Sequence, residues 1–440
     1  MATCGRRLVL VAVLALGTLP GPAAAGAPPP EPAPATGIRW APSIEAGLIE
    51  ARAKGLPLMV VLNMDRERGN EEMVEKVYTD PAVVAASGKC LCTIGSLSKH
   101  DEAKDPATGH MVCEKFGSLT CAEHRAVENV IRTQWLKKKA SEDVDSPQHF
   151  FLAPDGRRLF SRTWTLEAKE LAALMARAGA LCAPATLEAW DTLEGRLQRA
   201  ADPLAAVRAE AIAALAGMKD PAVDGKLADM ARGAADEGAA CDVLDAFASA
   251  MNPARLAVAA PFLSAKSALA RMHAAAALAA SKSPDALKAL AAALPREKEG
   301  EVRGMLYRAA SACSPGDAGA RTLVLGGLKE KNPDVLPHVL VALAPWAEDP
   351  LVVTPLKALA FGKDPWAVRA AACWTLGRSG HKELVPAIAD IKDDSRRKTL
   401  TAVARLAADR LKGTFDEAEY QGAVKGFAWS RVRLPGDPEK

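Results

Sequence analysis

Two cysteines and two histidines lie close together between residues 110 and 124 of the chain. His110, Cys113, Cys121 and His124 follow the order His-x2-Cys-x7-Cys-x2-His. Thiolates and imidazoles are ligands that suit zinc and copper, so this segment is a candidate site for Zn or Cu. His100 could replace His110 in the ligand set.

The position of Cys121 also allows thiol chemistry. Thr120 and Glu123 form the capping-box pattern of a helix N-terminus, which predicts Cys121 as the first helical residue. His124 then lies one turn later on the same face. The positive end of the helix dipole and a nearby imidazole both stabilise a thiolate, so Cys121 is a candidate reactive thiolate.

The sequence leaves four interpretations of this cluster open. A disulfide between Cys113 and Cys121 would close a long insertion in an oxidising compartment. A metal site would use the two cysteines, His124 and either His110 or His100. A redox or nucleophilic role would fall to Cys121, and the last interpretation gives the thiols no special role.

The remaining cysteines carry weaker signals. Cys90 and Cys92 point to the same side of a predicted strand, about 7 Å apart, which makes them poor disulfide partners. Cys182 follows the last helix of its region, and its role stays open. Three further cysteines are predicted to be buried small hydrophobic residues of helices: Cys241, Cys313 and Cys373.

Charge and motifs exclude several function classes. The chain has 56 Lys and Arg against 53 Asp and Glu, a formal net charge of +3, which gives no electrostatic basis for binding nucleic acid. The sequence has no phosphate loop, no Ser-His-Asp order and no His-Glu-x-x-His motif. A binding protein is therefore favoured over an enzyme.

The N-terminus has the pattern of an export signal. Residues 1–25 combine Arg6-Arg7, a short apolar run and a small-residue cleavage site, which predicts a cleaved Sec-type signal and a bacterial periplasmic or secreted protein. The two arginines also permit a Tat route. Residues 26–38 are rich in proline and predict an extended linker. We expect no integral membrane segment after cleavage.

Residues 39–182 alternate between strand and helix patterns. Continuous apolar runs of strand length alternate with helical periodicity, which indicates an α/β domain. The predicted order is helix 44–54, strand 56–63, helix 71–87 with a break at Asp80-Pro81, strand 89–94, helix 121–139, strands 149–153 and 158–164, and helix 166–178.

This region resembles the thioredoxin-like superfamily. The matching stretches are Leu-Pro-Leu-Met-Val-Val-Leu at 56–62, Val-Tyr-Thr-Asp-Pro-Ala-Val-Val at 77–84, and Ser-Pro-Gln-His-Phe-Phe-Leu-Ala-Pro-Asp-Gly at 146–156. The resemblance implies a cis peptide bond at Pro147. The two cysteines that the family carries after its first strand are missing, because residues 67–70 are Glu-Arg-Gly-Asn. Ordinary disulfide exchange at that place is therefore excluded.

The α/β topology predicts where the candidate residues meet. Loops that follow parallel strands emerge at the same edge of a sheet. We therefore expect residues 67–70, the insertion at 95–120, the start of the helix at Cys121, and Pro147 to share one rim.

A second region, residues 201–412, repeats with a period of 31 to 33 residues. An aliphatic residue followed by arginine marks the copies, and those arginines are Arg208, Arg271, Arg303 and Arg369. A period of this length indicates stacked helical hairpins, about 13 helices in all. Residues 183–200 form a connecting helix or linker.

The best copies of the repeat resemble HEAT-like repeats of the kind found in phycobilin lyases. The pattern of residues 364–377 predicts a helix with an aspartate as its cap, proline in its first turn, and aliphatic residues facing the next hairpin. We expect the arginines to pair with acidic or carbonyl groups of adjacent repeats as a structural ladder. The resemblance implies a solenoid that binds a protein partner. Residues 413–440 contain four aromatic residues, and we expect part of this tail to cap the last repeat.

Overall fold

The computed structural model describes residues 37–105, 108–139, 142, 144–233, 237–392 and 399–414. The predicted signal at 1–25, nearly all of the linker at 26–38 and nearly all of the tail at 413–440 lie outside these ranges. In the described ranges an α/β region comes first and an all-helical region follows.

The α/β region contains six strands and five helices in the described part of the chain. In chain order they are α1 (Ile44–Lys54), β1 (Leu58–Asn63), α2 (Arg68–Glu72), α3 (Pro81–Ser87), β2 (Leu91–Ser96), β3 (Glu102–Lys104), β4 (Met111–Cys113), α4 (Cys121–Val130), β5 (Gln148–Leu152), β6 (Arg158–Thr163) and α5 (Ala168–Leu181). Every strand and helix that the sequence predicted in this region is present; α1 has the predicted ends, and the ends of the others are shifted.

Four strands form one mixed sheet in the order β2-β1-β5-β6. β1 pairs in parallel with β2 and antiparallel with β5, and β5 pairs antiparallel with β6. Alternate residues of β1 point to opposite faces. Leu58 and Val60 pack in one cluster with α1 and α4, whereas Met59 and Val61 pack in another with α3 and α5. The sheet therefore lies between two helical layers, and all of β1 is buried.

Two local features differ from the predicted pattern. The insertion contains a small antiparallel hairpin, β3 and β4, which the sequence did not predict because each strand has only three residues. Both long predicted helices change to π-helical turns, at Met73–Val77 and Ile131–Trp135. The second helix therefore ends before residue 139.

The helical region continues to the end of the described chain. Its helices are α6 (Pro184–Glu188), α7 (Leu193–Ala200), α8 (Ala205–Gly217), α9 (Pro221–Gly233), α10 (Glu237–Ser249), α11 (Pro253–Ala259), α12 (Ala268–Ala280), α13 (Pro284–Ala293), α14 (Gly300–Cys313), α15 (Ala318–Gly326), α16 (Leu336–Ala342), α17 (Pro350–Ala360), α18 (Trp366–Leu376), α19 (Val385–Ala389) and α20 (Thr399–Lys412). None of the described helices has the length and apolar run needed to cross a membrane.

Alternate helices of this region stack in a row. α8 contacts α10, α10 contacts α12, and the series continues through α14, α16 and α18 to α20. Small residues let neighbouring helices approach closely: a Cβ atom added at Gly377 of α18 would lie 2.8 Å from the Cα of Ala407 in α20. Each inner helix of the row therefore packs against the one before and the one after it.

The repeated arginines contact acidic side chains or carbonyl groups beyond their own helices. Arg208 lies 2.7 Å from Asp242, Arg271 lies 2.7 Å from Glu297, and Arg303 pairs with Glu330. Arg369 donates from Nε to the carbonyl oxygen of Ala360 at 3.2 Å. These contacts join consecutive segments of the row.

One further arginine pair is buried, and the sequence pattern did not single it out. Arg255 is fully buried and donates from Nη2 to Asp224 Oδ1 at 2.7 Å and from Nε to Oδ2 at 3.0 Å. Arg255 lies in a degenerate copy of the repeat, where the aliphatic-arginine dipeptide is out of phase. The pair ties α9 to α11.

The row begins against the sheet. Val207 of α8 is buried in the same apolar cluster as Leu159 and Phe160 of β6. Arg158 Nε also lies 3.1 Å from Glu210 Oε1. The α/β region and the first helix of the row therefore share one core.

Candidate metal centre

The loops after β1 and β2 meet at one rim of the sheet, as the topology predicted. Asn70 donates from Nδ2 to Ser146 Oγ at 3.0 Å, which joins residues 67–70 to the segment before β5. The Ser146–Pro147 peptide bond is cis, the isomer implied for Pro147 by the family resemblance. Lys115 of the insertion reaches Asp65 after β1 at 2.7 Å.

Residues 67–70 form a polar network at this rim. Asn70 is buried, donates to Glu67 Oε2 at 2.9 Å and accepts a hydrogen bond from the Met64 backbone at 3.0 Å. Ser146 also donates to Glu67 at 2.9 Å. This network occupies residues 67–70, the position at which the family resemblance implies two cysteines that this sequence lacks.

Four potential ligand atoms gather beside this network. One atom each from His100, Cys113, Cys121 and His124 lies within 4.8 Å of all the others. Cys113, Cys121 and His124 are buried, and the His100 side chain is 15 % exposed. Three elements supply the four groups: the loop after β2, the end of β4, and the first turn of α4.

The sequence named His110 as a candidate ligand with His100 as the alternative, and the structure brings His100 into the cluster instead of His110. His110 is exposed and lies outside the group of four. β4 is extended, so a residue three positions before Cys113 lies about 10 Å away along the strand. The hairpin register instead pairs Cys113 with Glu102, which brings the nearby His100 back to the same end.

The capping box at the start of α4 is confirmed. Thr120 Oγ1 accepts a hydrogen bond from the Glu123 backbone N–H at 3.2 Å, and Glu123 Oε2 accepts one from the Thr120 backbone N–H at 2.7 Å. This box fixes the first turn of α4. Cys121 and His124 are therefore presented from the same side of the helix.

Hydrogen bonding orients the imidazole of His124. Its Nδ1 donates to the Ser96 carbonyl oxygen at 2.9 Å, and its Nε2 is buried with no hydrogen-bond partner among the described residues. Burial lowers the pKa of His124, and the nearby His100 lowers it further against the opposing effect of the Ser96 carbonyl. A neutral ring that donates from Nδ1 carries its lone pair on Nε2, the form that binds a metal ion.

A carboxylate orients His100 in a similar way. His100 Nε2 lies 2.9 Å from Asp65 Oδ1, and its Nδ1 lies 3.3 Å from Cys113 Sγ. Burial alone would raise the pKa of Asp65, but hydrogen bonds from Lys115, Ser96 and His100 outweigh it and hold that pKa far below its ordinary value. The ionised Asp65 accepts a hydrogen bond from the Nε2–H group of His100, so the Nδ1 lone pair of the ring faces the cluster.

The two sulfur atoms are shielded from solvent. Cys113 and Cys121 are both free cysteines, so the predicted alternative of a disulfide between them is not formed in this structure. Burial raises the pKa of the Cys113 thiol to about 11; the neighbouring Cys121 adds to this, and the Phe116 and Lys115 backbones partly offset it. Cys121 Sγ accepts a hydrogen bond from the His100 backbone at 3.3 Å.

Sequence reasoning missed the residues that surround the four ligands. Asp65 also accepts hydrogen bonds from the Ser96 hydroxyl and the Ser98 backbone, and Lys115 bridges Asp65 and Glu71. The only signal in the sequence was an acidic residue soon after an apolar strand. Nothing local connected Asp65 to His100, which lies 35 positions later.

The other cysteines lie outside this cluster and are buried. Cys92 Sγ donates to the Cys90 carbonyl oxygen at 3.2 Å, and both pack in the core beneath the sheet with Cys182. The prediction of burial is confirmed for the helical cysteines Cys241, Cys313 and Cys373.

The sequence matches no protein-family model and no curated protein.

Proposed function

We propose that the protein binds one zinc ion through His100, Cys113, Cys121 and His124. The main evidence is that four ligand atoms of the types that zinc prefers lie within 4.8 Å of one another in a largely buried site. Two imidazoles and two thiolates form a complete tetrahedral set, which is the pattern of a structural zinc site.

The spacing of the four atoms suits a zinc ion after a small movement. Sulfur ligands 2.3 Å from zinc lie about 3.8 Å apart in a tetrahedron. All four ligand atoms lie within 4.8 Å of one another. Side-chain rotations that move these atoms by about 1 Å therefore bring them to tetrahedral spacing around a zinc ion. Two thiolates balance the charge of Zn²⁺, which favours a buried neutral centre.

The surroundings of both histidines support the same assignment. Asp65 accepts a hydrogen bond from His100, and the Ser96 carbonyl oxygen accepts one from His124. In each case the donor is the ring nitrogen that points away from the cluster. Such partners fix the tautomer and orientation of metal-binding histidines. The unpartnered Nε2 of His124 gains a favourable contact when a metal ion binds.

Thiol redox chemistry is supported less well by the same geometry. A reactive cysteine needs an accessible sulfur and a stabilised thiolate. Cys113 and Cys121 are both buried, and burial raises the pKa of Cys113 to about 11. Without a metal ion, Cys113 is therefore a poor nucleophile at neutral pH.

Metal analysis of the purified full-length protein tests the proposal. We expect one zinc per chain by elemental analysis, and loss of that zinc in Cys121→Ser and His124→Gln. Cys313→Ser, which removes a buried thiol of the helical region, is the matched control and retains the zinc. Stoichiometric copper would redirect the assignment to copper, and an unchanged metal content in Cys121→Ser would overturn the site.

We also propose that the helical row is a HEAT-like solenoid used as a protein-binding scaffold, joined to a thioredoxin-like domain. The serial contacts from α8 to α20 support this, because such a row presents an extended surface. The parallel β1-β2 pair and the antiparallel β5-β6 pair support the relationship of the α/β region to thioredoxin-like domains. The signal-like segment at 1–25 supports export to the periplasm or medium.

The scaffold proposal has a direct test. Leu351 and Phe361 lie at the two ends of α17 and are 65 % and 41 % exposed. We expect Leu351→Glu and Phe361→Glu to reduce capture of a protein partner from the envelope fraction by the full-length protein. Ile49→Glu changes a residue of α1 that is 60 % exposed and serves as the control. Equal capture by all variants would show that Leu351 and Phe361 do not contribute to partner binding.

A further inference from the structure

Four exposed lysines recur with the repeat period in the loops that precede α12, α14, α16 and α18. They are Lys266, Lys298, Lys331 and Lys363, at intervals of 32, 33 and 32 residues. In the first three loops the lysine follows a 3-10 turn and one extended residue. The fourth loop reaches its lysine without a 3-10 turn. Because α12, α14, α16 and α18 stack in series, these loops emerge along one edge of the row.

The repeated arginines join consecutive loops of this edge. Arg271 donates to the Lys266 carbonyl oxygen at 3.0 Å and to Glu297 Oε2 at 2.7 Å, so it joins the first loop to the second. Arg303 donates to the Glu297 carbonyl oxygen at 3.0 Å and pairs with Glu330, so it joins the second loop to the third. Both glutamates are extended and turn their side chains to an arginine. The lysine that follows each of them therefore projects to the other side, into solvent.

The four lysines form a lysine edge with an excess of positive charge. None of them makes an ion pair within the described ranges. Two more exposed cations of the same loops also lie outside ion pairs: Arg296 and Lys329. The loops offset part of this charge with three carboxylates outside ion pairs: Glu299, Asp334 and Asp364. Six cations against three carboxylates leave a net positive edge, which favours an acidic partner.

A cavity of about 520 Å³ lies between the first two loops of the edge. Lys266, Arg296 and Lys298 line its charged side. The other side is formed by alanines of α13: Ala289, Ala292 and Ala293. A cavity of this size takes a small organic group. A carboxylate side chain fits its lining, because the carboxylate meets the cations and the methylene groups meet the alanines.

The spacing of the lysines fits an extended peptide. Neighbouring helices of a packed row lie about 8–10 Å apart, so consecutive lysines of the edge are separated by about the same distance. In a polyproline-II peptide every third residue returns to the same face after about 9 Å. We propose that the lysine edge binds an extended acidic segment of a partner protein, with a carboxylate at every third residue. The inference rests on the proposed scaffold role of the row and assigns the chemistry of its partner.

Fluorescence anisotropy with the full-length protein at low salt tests this inference. The probe is a labelled ten-residue peptide with Glu at every third position and Pro between. We expect it to bind at least about threefold more tightly than a peptide of the same composition with its four Glu at one end, because each exposed ion pair that forms contributes about two- to fivefold. Salt should weaken the binding, since the charges on both sides are exposed. Equal affinity for the two peptides, or no binding of either, would overturn the match to the lysine period.

Charge reversal identifies the surface. We expect Lys298→Glu combined with Lys331→Glu to weaken binding of the spaced peptide at least about tenfold. Lys169→Glu combined with Lys226→Glu makes the same charge change at two exposed lysines outside the edge and is the control. Circular dichroism confirms that both double variants fold. Equal affinity in the two would overturn the lysine edge as the binding surface.

Two further measurements separate this inference from its alternatives. Tighter binding of a ten-nucleotide oligothymidylate than of the spaced peptide would assign the edge to nucleic acid and overturn an acidic protein partner. Leu351→Glu leaves every residue of the lysine edge in place, so its effect on partner capture tests the scaffold role separately. A lysine edge that fails with the peptide therefore leaves the result for the scaffold readable.

Discussion

His100 Nε2 lies 2.9 Å from Asp65 Oδ1, and this contact directs the opposite nitrogen of the ring toward Cys113. Asp65 is itself held by Lys115 and Ser96, so its position does not depend on the histidine. A residue distant in sequence therefore sets the orientation of one ligand of the proposed zinc centre.

Asp65→Asn is predicted to weaken zinc binding. The amide does not carry the negative charge that stabilises the ring orientation, and loss of such partners costs about 10- to 100-fold in metal affinity. Competition with a chromogenic chelator measures the change. Asp101→Asn, an exposed position of the same insertion, is the control. Equal affinity in the two variants would mean that Asp65 does not act on His100.

Removal of the metal is predicted to destabilise the protein. A ligand that binds only the folded state adds about 4 kcal/mol when its concentration is 1,000 times the dissociation constant. We expect a chelator to lower the thermal midpoint of the wild-type protein and to have no effect on Cys113→Ser. A chelator effect of the same size in that variant would contradict the assignment of Cys113 as a ligand.

Asp224→Ala is predicted to destabilise the helical region strongly. It leaves the fully buried Arg255 without its carboxylate, and breaking a buried pair from one side costs about 3–5 kcal/mol. Asp229→Ala, which breaks the exposed pair with Arg232, should cost about 1 kcal/mol or less. Urea unfolding measures the free energy of unfolding of the two variants. Similar losses in both would show that the buried pair of Arg255 and Asp224 contributes no more to stability than an exposed pair.

Acid is predicted to destabilise the α/β region through His149. Burial lowers the pKa of His149 to about 4, and Tyr78 Oη lies 2.9 Å from its Nε2. The folded state favours the neutral ring, so this contribution is present above the unfolded pKa of about 6.5 and is lost as the pH falls toward 4. The slope in this window is about 1.4 kcal/mol per pH unit.

The matched comparison is between His149→Gln and His110→Gln. His149 is buried in β5, whereas His110 is exposed. We expect the pH dependence of the unfolding free energy between pH 6.5 and 4 to flatten in the first variant and to stay as in the wild type in the second. A wild-type slope in His149→Gln would assign the acid sensitivity to other groups.

The sequence predicted those parts of the site that local rules determine. The capping box needs only Thr120 and Glu123, and it placed Cys121 and His124 correctly on one turn of α4. The apolar run at 56–63 predicted a strand, and its continuous apolar composition agrees with the burial of every residue of β1.

The rest of the site depends on contacts between distant segments. The choice of His100 over His110 follows from the register of a hairpin whose strands have three residues each, too short to show alternation. Asp65 and Lys115 meet only after the sheet has formed. Arg255 was missed because its copy of the repeat is degenerate, although its side chain and that of its partner Asp224 are buried.

The packing of α8 on β6 makes the sheet the first terminal unit of the helical array. Val207 is buried in the apolar cluster that contains Leu159 and Phe160 of β6. A fragment that starts near residue 201 would expose the apolar surface of α8 that packs on β6, and an exposed apolar end lowers the solubility of a stacked helical array. A soluble fragment that carries the helical array must therefore begin before β1 and include the whole sheet.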